Sequence, residues 1–187
     1  GNLTQSGAFI AGSGTTTFNG AVIAAGGLII HGDTVINGGS VNSGLFTQHY
    51  EGAVMVGGDA LSTTTFTGVG MRFGGTLDGT SRLLIKDTGS TTYVGEIGGI
   101  TAPAHFQTDD LSSGAGSSTF SGGLVRTSSS NSIIMGDDVV VTTHTTFDTT
   151  DHNNLPTGAN ITFAKTLKGV STNGQDVTLN AGTSGQV

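Results

Sequence analysis

Two pairs of aspartates are the residues of this sequence whose type and spacing best fit catalysis or metal binding. Asp110 and Asp137 are about 27 residues apart, a separation typical of repeated units, and each has an aspartate neighbour, Asp109 and Asp138. On adjacent turns of a repeated structure, paired carboxylates can serve a polysaccharide-cleaving enzyme or hold Ca²⁺. We therefore take Asp110, Asp137 and Asp138 as the candidate metal site, with Ca²⁺ as its ion and no other cofactor expected.

The same aspartates also have a simpler interpretation, because aspartate is favoured at corners, where it caps turns. The segments GGD, MGDD and NGQD lack the repeated spacing of calcium-binding glycine and aspartate repeats. A glycan-cleaving groove needs basic and aromatic residues as well, and the chain offers only Arg126, Lys86 and His105, with no Trp. We expect no catalytic residues and no enzyme, and a lyase or glycosidase that uses Asp110 and Asp137 is the alternative.

The other polar residues form no recognisable site. The histidines show no two-ligand spacing on a shared strand face, which disfavours a zinc site. The segment GAGSS is not followed by lysine, as a phosphate-binding loop would be, and no Ser, His and Asp set has a nucleophile elbow. The absence of cysteine excludes disulfides and thiolate metal sites.

Composition limits the partners. The 187 residues carry 13 acidic and 6 basic side chains, for a net charge of −7, which disfavours nucleic acid and anionic lipid. No run of 18 apolar residues is present, so we expect no membrane insertion. Low charge with 33 glycines and abundant Thr and Ser is typical of an extracellular or cell-surface protein. A start at Gly1, without Met or a signal peptide, suggests a processed chain or a segment of a longer one.

The elements that must position these residues are β-strands. No window of a dozen residues keeps apolar positions at helical spacing, and the frequent Thr, Val, Ile and Phe favour strands. A hydrophobic content of 34% argues against disorder. We predict an all-β chain that forms a single repetitive domain over residues 1–187.

An aromatic residue recurs in this chain at a fixed period. The period is about 27 residues, and the four aromatics that follow it are Phe66, Tyr93, Phe120 and Phe147. Each follows a threonine, and these are Thr65, Thr92, Thr119 and Thr146. Because successive strand side chains point to opposite faces, the aromatics should stack inside as a ladder, while the threonines form an outward hydroxyl array. Such an array can bind ice or carbohydrate, although outward Thr is more often a residue of a solvated face.

Glycine ends these units and suggests corners. Gly68, Gly95 and Gly122 each lie two residues after an aromatic, where we expect a corner with positive φ. A unit of about 27 residues, made of short strands between such corners, fits one coil of a parallel β-helix, or β-solenoid, and a β-sandwich is the alternative. Longer correspondences divide the chain into two module copies, roughly 14–88 and 89–187.

Several segments carry a family resemblance. GSTTYVGEIGG, SSTFSGG, GDDVVVTTHTTF, NITFAKTLKG and QDVTLNAGTSG resemble the modules of bacterial β-strand-repeat exoproteins, the filamentous-haemagglutinin-like and autotransporter-like adhesins. The resemblance is best over residues 62–187, and HYEGAVMVGG and ITAPAHFQTDD depart from it. It implies a stalk or scaffold of a surface adhesin and no common catalytic motif.

The ends and the loops indicate how such a chain would act. Both ends read as strands without a polar cap, and unpaired strand edges seek partners. We expect self-association end to end, or continuation into neighbouring modules, giving a filament-forming structural subunit of an adhesin or coat. The segments TAPAHFQTDD (101–110) and NNLPTG (153–158) are the clearest loop signals, and binding specificity, with carbohydrate as a candidate ligand, would reside in such loops.

Overall fold

The chain is a parallel β-solenoid. The computed structural model describes residues 1–109, 116–128, 131–171 and 174–187, and these ranges contain 23 short strands and no helix. They accordingly include no helix long and apolar enough to cross a membrane. The strands stack into three faces, called sheets A, B and C, and one pass through the three faces is a coil.

Each face collects every third strand along most of the chain. The eight strands of sheet A are β1 (Leu3–Gln5), β4 (Val22–Ala24), β7 (Ser40–Asn42), β10 (Thr63–Gly68), β13 (Arg82–Asp87), β15 (His105–Thr108), β18 (Ile133–Met135) and β21 (Ile161–Phe163). The eight strands of sheet B are β2 (Phe9–Ala11), β5 (Leu28–Ile30), β8 (Gln48–Tyr50), β11 (Met71–Phe73), β14 (Ser90–Tyr93), β16 (Ser117–Phe120), β19 (Asp138–Val141) and β22 (Leu167–Gly169).

Sheet C comes in two parts joined at a single residue. Its strands are β3 (Thr16–Phe18), β6 (Thr34–Ile36), β9 (Val54–Val56), β12 (Leu77–Gly79), β17 (Leu124–Arg126), β20 (Thr145–Asp148) and β23 (Val177–Asn180). Ile97 bridges Leu77 and Val125 in parallel and so continues the face between the two parts. Pairing is parallel throughout the three sheets, as coils that wind in one direction require.

The coils do not share the single length that the aromatic period predicted. Equivalent strands follow one another about 22 residues apart. Coil length also varies, since Thr16 pairs with Thr34 near one end of the rod, whereas Thr145 pairs with the much more distant Val177 near the other. The predicted spacing is found between Tyr93 and Phe120, which pair on neighbouring coils. Strand register can be kept while coil length varies, because extra residues are accommodated at the corners and not in the strands.

An aromatic ladder fills the interior, with a membership that differs from the predicted one. Tyr50, Phe73, Tyr93 and Phe120 stack along sheet B, with ring centroids 5.2, 5.5 and 4.8 Å apart and ring planes within 10° of parallel. Phe66 instead lies in sheet A and pairs with Ile85. The four stacked rings are buried, so the ladder supplies a large share of the apolar core.

The fourth predicted member of the ladder, Phe147, lies in sheet C. It meets Phe120 edge to face, with centroids 5.6 Å apart. Phe66 likewise meets Tyr50 and Phe73 edge to face. The predicted period thus joins residues of three different sheets, because it does not match the length of every coil in this part of the chain. Of the predicted ladder, Tyr93 and Phe120 stack directly.

The predicted hydroxyl array is divided among the three faces for the same reason. Thr92 and Thr119 are neighbours on the outer face of sheet B. Thr65 lies on sheet A between Ser40 and Leu84, and Thr146 lies on sheet C. The four threonines are half-buried and do not form one surface.

The corner between sheets B and C is built from a glycine column. A Cβ atom placed on Gly95 would lie 2.3 Å from the carbonyl oxygen of Gly75, and one on Gly122 would lie 2.2 Å from that of Gly95. The members of the column are Gly32, Gly52, Gly75, Gly95 and Gly122. Their backbones take no positive φ, nor does that of Gly68, which corrects the predicted reason for these glycines. The column needs glycine because the coils touch there.

Two insertions in the longer coils cover sheet C. The prediction of a loop over 101–110 is wrong in part, since His105–Thr108 form β15 of sheet A. The residues before it fold over β12, where the amides of Ile100 and Thr101 donate to the buried Asp78. Arg126, 9% exposed, donates to the carbonyls of Gly98 and Gly99.

The same arginine holds the second insertion. The Arg126 guanidinium lies 3.5 Å from the carboxylate of Asp151, in the loop that includes 153–158. That loop begins with three residues in left-handed backbone conformation, Asp151, His152 and Asn153. Asp148 caps it by accepting from the amides of Thr150 and His152. Both insertions are therefore fastened to the solenoid, and Arg126 joins them.

Candidate functional site

The structure describes two of the three aspartates of the predicted metal site, Asp137 and Asp138. Asp110 lies outside the described residues. Asp137 is 3% exposed and its carboxylate points into the corner between sheets A and B, where Thr108 and Ser118 donate to it at 2.8 and 2.9 Å. Asp138, the next residue, is half-buried and accepts from Thr166. Asp137 immediately precedes β19 and Asp138 begins it, and the two carboxylates point in different directions, one into the corner and one toward Thr166.

Asp137 belongs to an acidic column in the A–B corner that sequence reasoning missed. We call Asp87, Asp109 and Asp137 the acidic corner, because each ends or follows a sheet A strand and is buried. Asp87 accepts from the amides of Gly70 and Gly89 at 2.7 and 2.8 Å. One carboxylate thereby caps the corners of two successive coils.

The acidic corner is also connected from coil to coil. The Thr91 hydroxyl donates to Asp87 at 2.6 Å, and the amide of Asp87 donates to Asp109 at 2.9 Å. One coil further, Thr108 donates to Asp137. The hydrogen bonds from Asp87 to Asp109 and from Thr108 to Asp137 link successive coils from inside, in addition to the backbone ladders.

Burial controls the ionisation of this corner. Burial raises the pKa of the Asp137 carboxyl, and the hydrogen bonds from Thr108 and Ser118 offset part of that effect. The pKa of Tyr93, whose hydroxyl faces the corner, lies well above its ordinary value, first because of burial and second because of the charge of Asp137. Outside the corner, hydrogen bonds from Thr166 lower the pKa of Asp138.

No metal centre is evident in the part of the chain that the structure describes. Those residues contain no group of three or more His, Cys, Asp or Glu side chains arranged to hold an ion. The oxygens of Asp87 are occupied by backbone amides and a hydroxyl, which are structural partners. Calcium binding by Asp110, Asp137 and Asp138 stays a prediction from the sequence.

A groove on the outer face of sheet B is a further polar feature that the sequence did not reveal. We call it the Arg72 groove; it has a volume of about 460 Å³ and is lined by His49, Tyr50, Glu51, Arg72 and Gly74. His49 and Arg72 are partners in the strand register. The exposed Glu51 pairs with the exposed His31 at 2.9 Å. Parallel pairing brings these residues together from three coils, at separations that carry no recognisable motif.

The two ends of the solenoid expose part of its interior. Seven apolar side chains of the described residues pack against the core while only partly buried, and all seven belong to the first or the last coil: Leu3, Phe9, Ala11, Phe163, Leu167, Val177 and Leu179. A depression of about 480 Å³ opens at the first coil, between Leu3, Phe9 and Phe18. In the interior of the stack the corresponding side chains are buried.

Comparison of the sequence with models of known protein families found no match, and comparisons with curated proteins and with solved structures found no significant similarity.

Proposed function

We propose that this chain is a structural, non-enzymatic subunit of an extracellular stalk or filament, as in a surface adhesin or coat, and that it assembles end to end through its β edges. The observation that carries the proposal is the half-buried apolar interior at both ends, on strands that have a pairing partner on one side only. Apolar surface and unpaired backbone together favour association with another β edge.

The first coil presents free backbone groups at known positions. The amide of Phe9 donates to Gly27, and the carbonyl of Ala11 accepts from His31, so both residues face the second coil. Alternate residues of a parallel strand face opposite neighbours, and Ile10 therefore directs its amide and carbonyl toward the open end. Its side chain is 64% exposed on the outer face.

The last coil offers a matching edge. The strands β22 and β23 pair only with the coil before them in the part of the chain that the structure describes. On sheet A, the chain beyond β23 has already begun to cover β21, since the amide of Ile161 donates to Gln186. An end-to-end contact between different edges is heterologous, and when it repeats along the rod axis it builds an open filament.

The use of the polar residues supports a scaffold more than an enzyme. The carboxylate of Asp137, which the enzymatic alternative requires, is buried and hydrogen-bonded by Thr108 and Ser118. The resemblance to β-strand-repeat exoproteins agrees with a stalk and with an extracellular location. The rod would resist tension through its parallel ladders and its aromatic stack.

Sedimentation velocity and negative-stain electron microscopy across a concentration series test the assembly. We expect elongated species of rod-like width that lengthen as concentration rises. The variant Ile10→Pro removes the amide that faces the open end and should shift the distribution to the single chain. Ile10→Thr is the matched control, since it keeps that amide and a β-favouring side chain, and it should assemble.

A monodisperse single chain at high concentration, with both end coils protected from hydrogen exchange, would contradict assembly through the ends. Equal assembly of Ile10→Pro and Ile10→Thr would show that the first coil is not the interface. Cleavage of polyuronates by the purified protein, with or without Ca²⁺, would contradict the non-enzymatic role and support the alternative.

A further inference from the structure

We propose that the Arg72 groove binds the carboxylate of an acidic saccharide, with Arg72 as the anchoring residue. The groove lies on the side of the solenoid, on a central strand of sheet B, and does not involve the end coils. This binding function is therefore independent of end-to-end assembly, and either can fail without the other.

Arg72 is a cation without an acidic partner in this part of the molecule. Among the described residues, no carboxylate lies within ion-pair distance of its guanidinium, and the neighbouring Glu51 is paired with His31. Arg126, in contrast, is buried and is bound to two carbonyls and to Asp151. The planar fork of a guanidinium matches a carboxylate, so Arg72 is the arginine better suited to an external anion.

A glycine leaves the space in which this guanidinium lies. A Cβ atom on Gly74 would be 2.7 Å from Nη1 of Arg72 and 2.8 Å from the carbonyl oxygen of Glu51. A side chain at position 74 would therefore compete with the Arg72 guanidinium for this part of the groove.

The surroundings of Arg72 favour a saccharide as the carrier of the carboxylate. The next two outward residues of its register column are Thr92 and Thr119, and beside them Thr142 donates to Ser121 at 2.8 Å. Hydroxyls and the His31–Glu51 pair can exchange hydrogen bonds with sugar hydroxyls. Neighbouring coils are about 4.8 Å apart, close to the length of one monosaccharide, so a chain along the rod axis can meet successive coils.

An acidic peptide fits the same groove less well. A peptide strand would need an open sheet edge, and β11 is paired on both sides, with β8 and β14. A peptide anchored by its side chains would need apolar pockets. The outward residues next to Arg72 are His49, Thr92 and Gly74, which provide none.

Titration calorimetry with a trigalacturonate tests the proposal on the full chain. We expect one site per chain, and about tenfold weaker binding to Arg72→Gln, because a hydrogen bond between two charged groups is lost. Gly74→Val should weaken binding to a similar degree, since its side chain would displace the guanidinium. Arg82→Gln, which removes a half-exposed arginine from sheet A, is the matched control and should bind like the wild type.

Three outcomes would overturn the proposal. The first is equal binding by the wild type and Arg72→Gln, when both have the same circular dichroism spectrum and melting temperature. The second is equal affinity for the methyl ester of the trigalacturonate, which lacks the charge. The third is tighter binding of a glutamate-rich peptide than of the saccharide, which would assign the groove to proteins. Amide shift changes confined to Gly74 and Thr92 upon saccharide addition would support it.

Discussion

Two corners of the solenoid differ in the groups that connect successive coils. At the B–C corner a continuous glycine column lets the backbones of successive coils touch. The A–B corner contains close glycine contacts as well, but it also encloses carboxylates, and Asp87 caps the amides of two coils there. A corner formed by close contact depends on the absence of atoms, whereas a corner formed by capping depends on particular polar atoms.

The difference has consequences for variation. The glycine column tolerates no side chain at its interior positions because the obstacle is the backbone of the neighbouring coil. At the acidic corner, side-chain carboxylates also link the coils, and the connections between the strands differ in length. The strands β13 and β14 are separated by two residues, whereas β15 and β16 are separated by eight.

The largest loss of stability is expected when a side chain is placed in the glycine column. Gly95→Ala would place a methyl group 2.3 Å from the backbone oxygen of Gly75, and separating the coils should cost about 3 kcal/mol of unfolding free energy. For a chain of this size the melting temperature should fall by roughly 6–12 °C. Gly14→Ala is the control, because Gly14 lies at the same corner of the first coil and a Cβ atom added there would have no other atom within 4 Å. This variant should change the melting temperature little. Equal melting temperatures for the two variants would refute the close-contact explanation.

A smaller effect is expected from removing one cap of the acidic corner. Asp87→Ala leaves the amides of Gly70 and Gly89 and the Thr91 hydroxyl without their acceptor, which should cost about 2 kcal/mol in chemical denaturation. Asp59 is a suitable comparison, because it also accepts from two amides and a hydroxyl but is exposed. Asp59→Ala should cost less, since water replaces its hydrogen bonds, and an equal loss would contradict the role of burial.

The smallest change in stability is expected from the charge of Asp137, and it depends on pH. Because burial raises the pKa of this carboxyl, the folded state binds its proton more tightly than the unfolded state does. The stability that the folded state gains from this tighter proton binding is complete below the unfolded pKa of about 3.9. It is lost as pH rises through the folded pKa. Asp137→Asn removes this dependence. The stability of the wild type relative to that variant should fall as pH rises from about 4, and denaturation at several pH values measures the difference. A rise would mean that the hydrogen bonds from Thr108 and Ser118 outweigh burial.

The fold was predictable from local properties, but the site was not. The recurring aromatic and the short β-favouring segments between glycines predicted the parallel solenoid, and the alternation around Tyr93 and Phe120 placed their rings inside. The acidic corner and the Arg72 groove escaped prediction because they join residues such as Asp87 and Asp109, or Glu51 and Arg72, whose separations follow no fixed period. A motif search cannot detect a site whose spacing is set by variable corners.

By itself the sequence determined the class of structure: strands, their inward and outward faces, and corners between them, since these depend on neighbouring residues. Only the tertiary structure decided which residues stack. The coil from Phe73 to Tyr93 is shorter than the coil from Tyr93 to Phe120, yet both end with rings in contact. The physical reason is that backbone pairing and core packing fix the strands in register, while the corners absorb the difference in length.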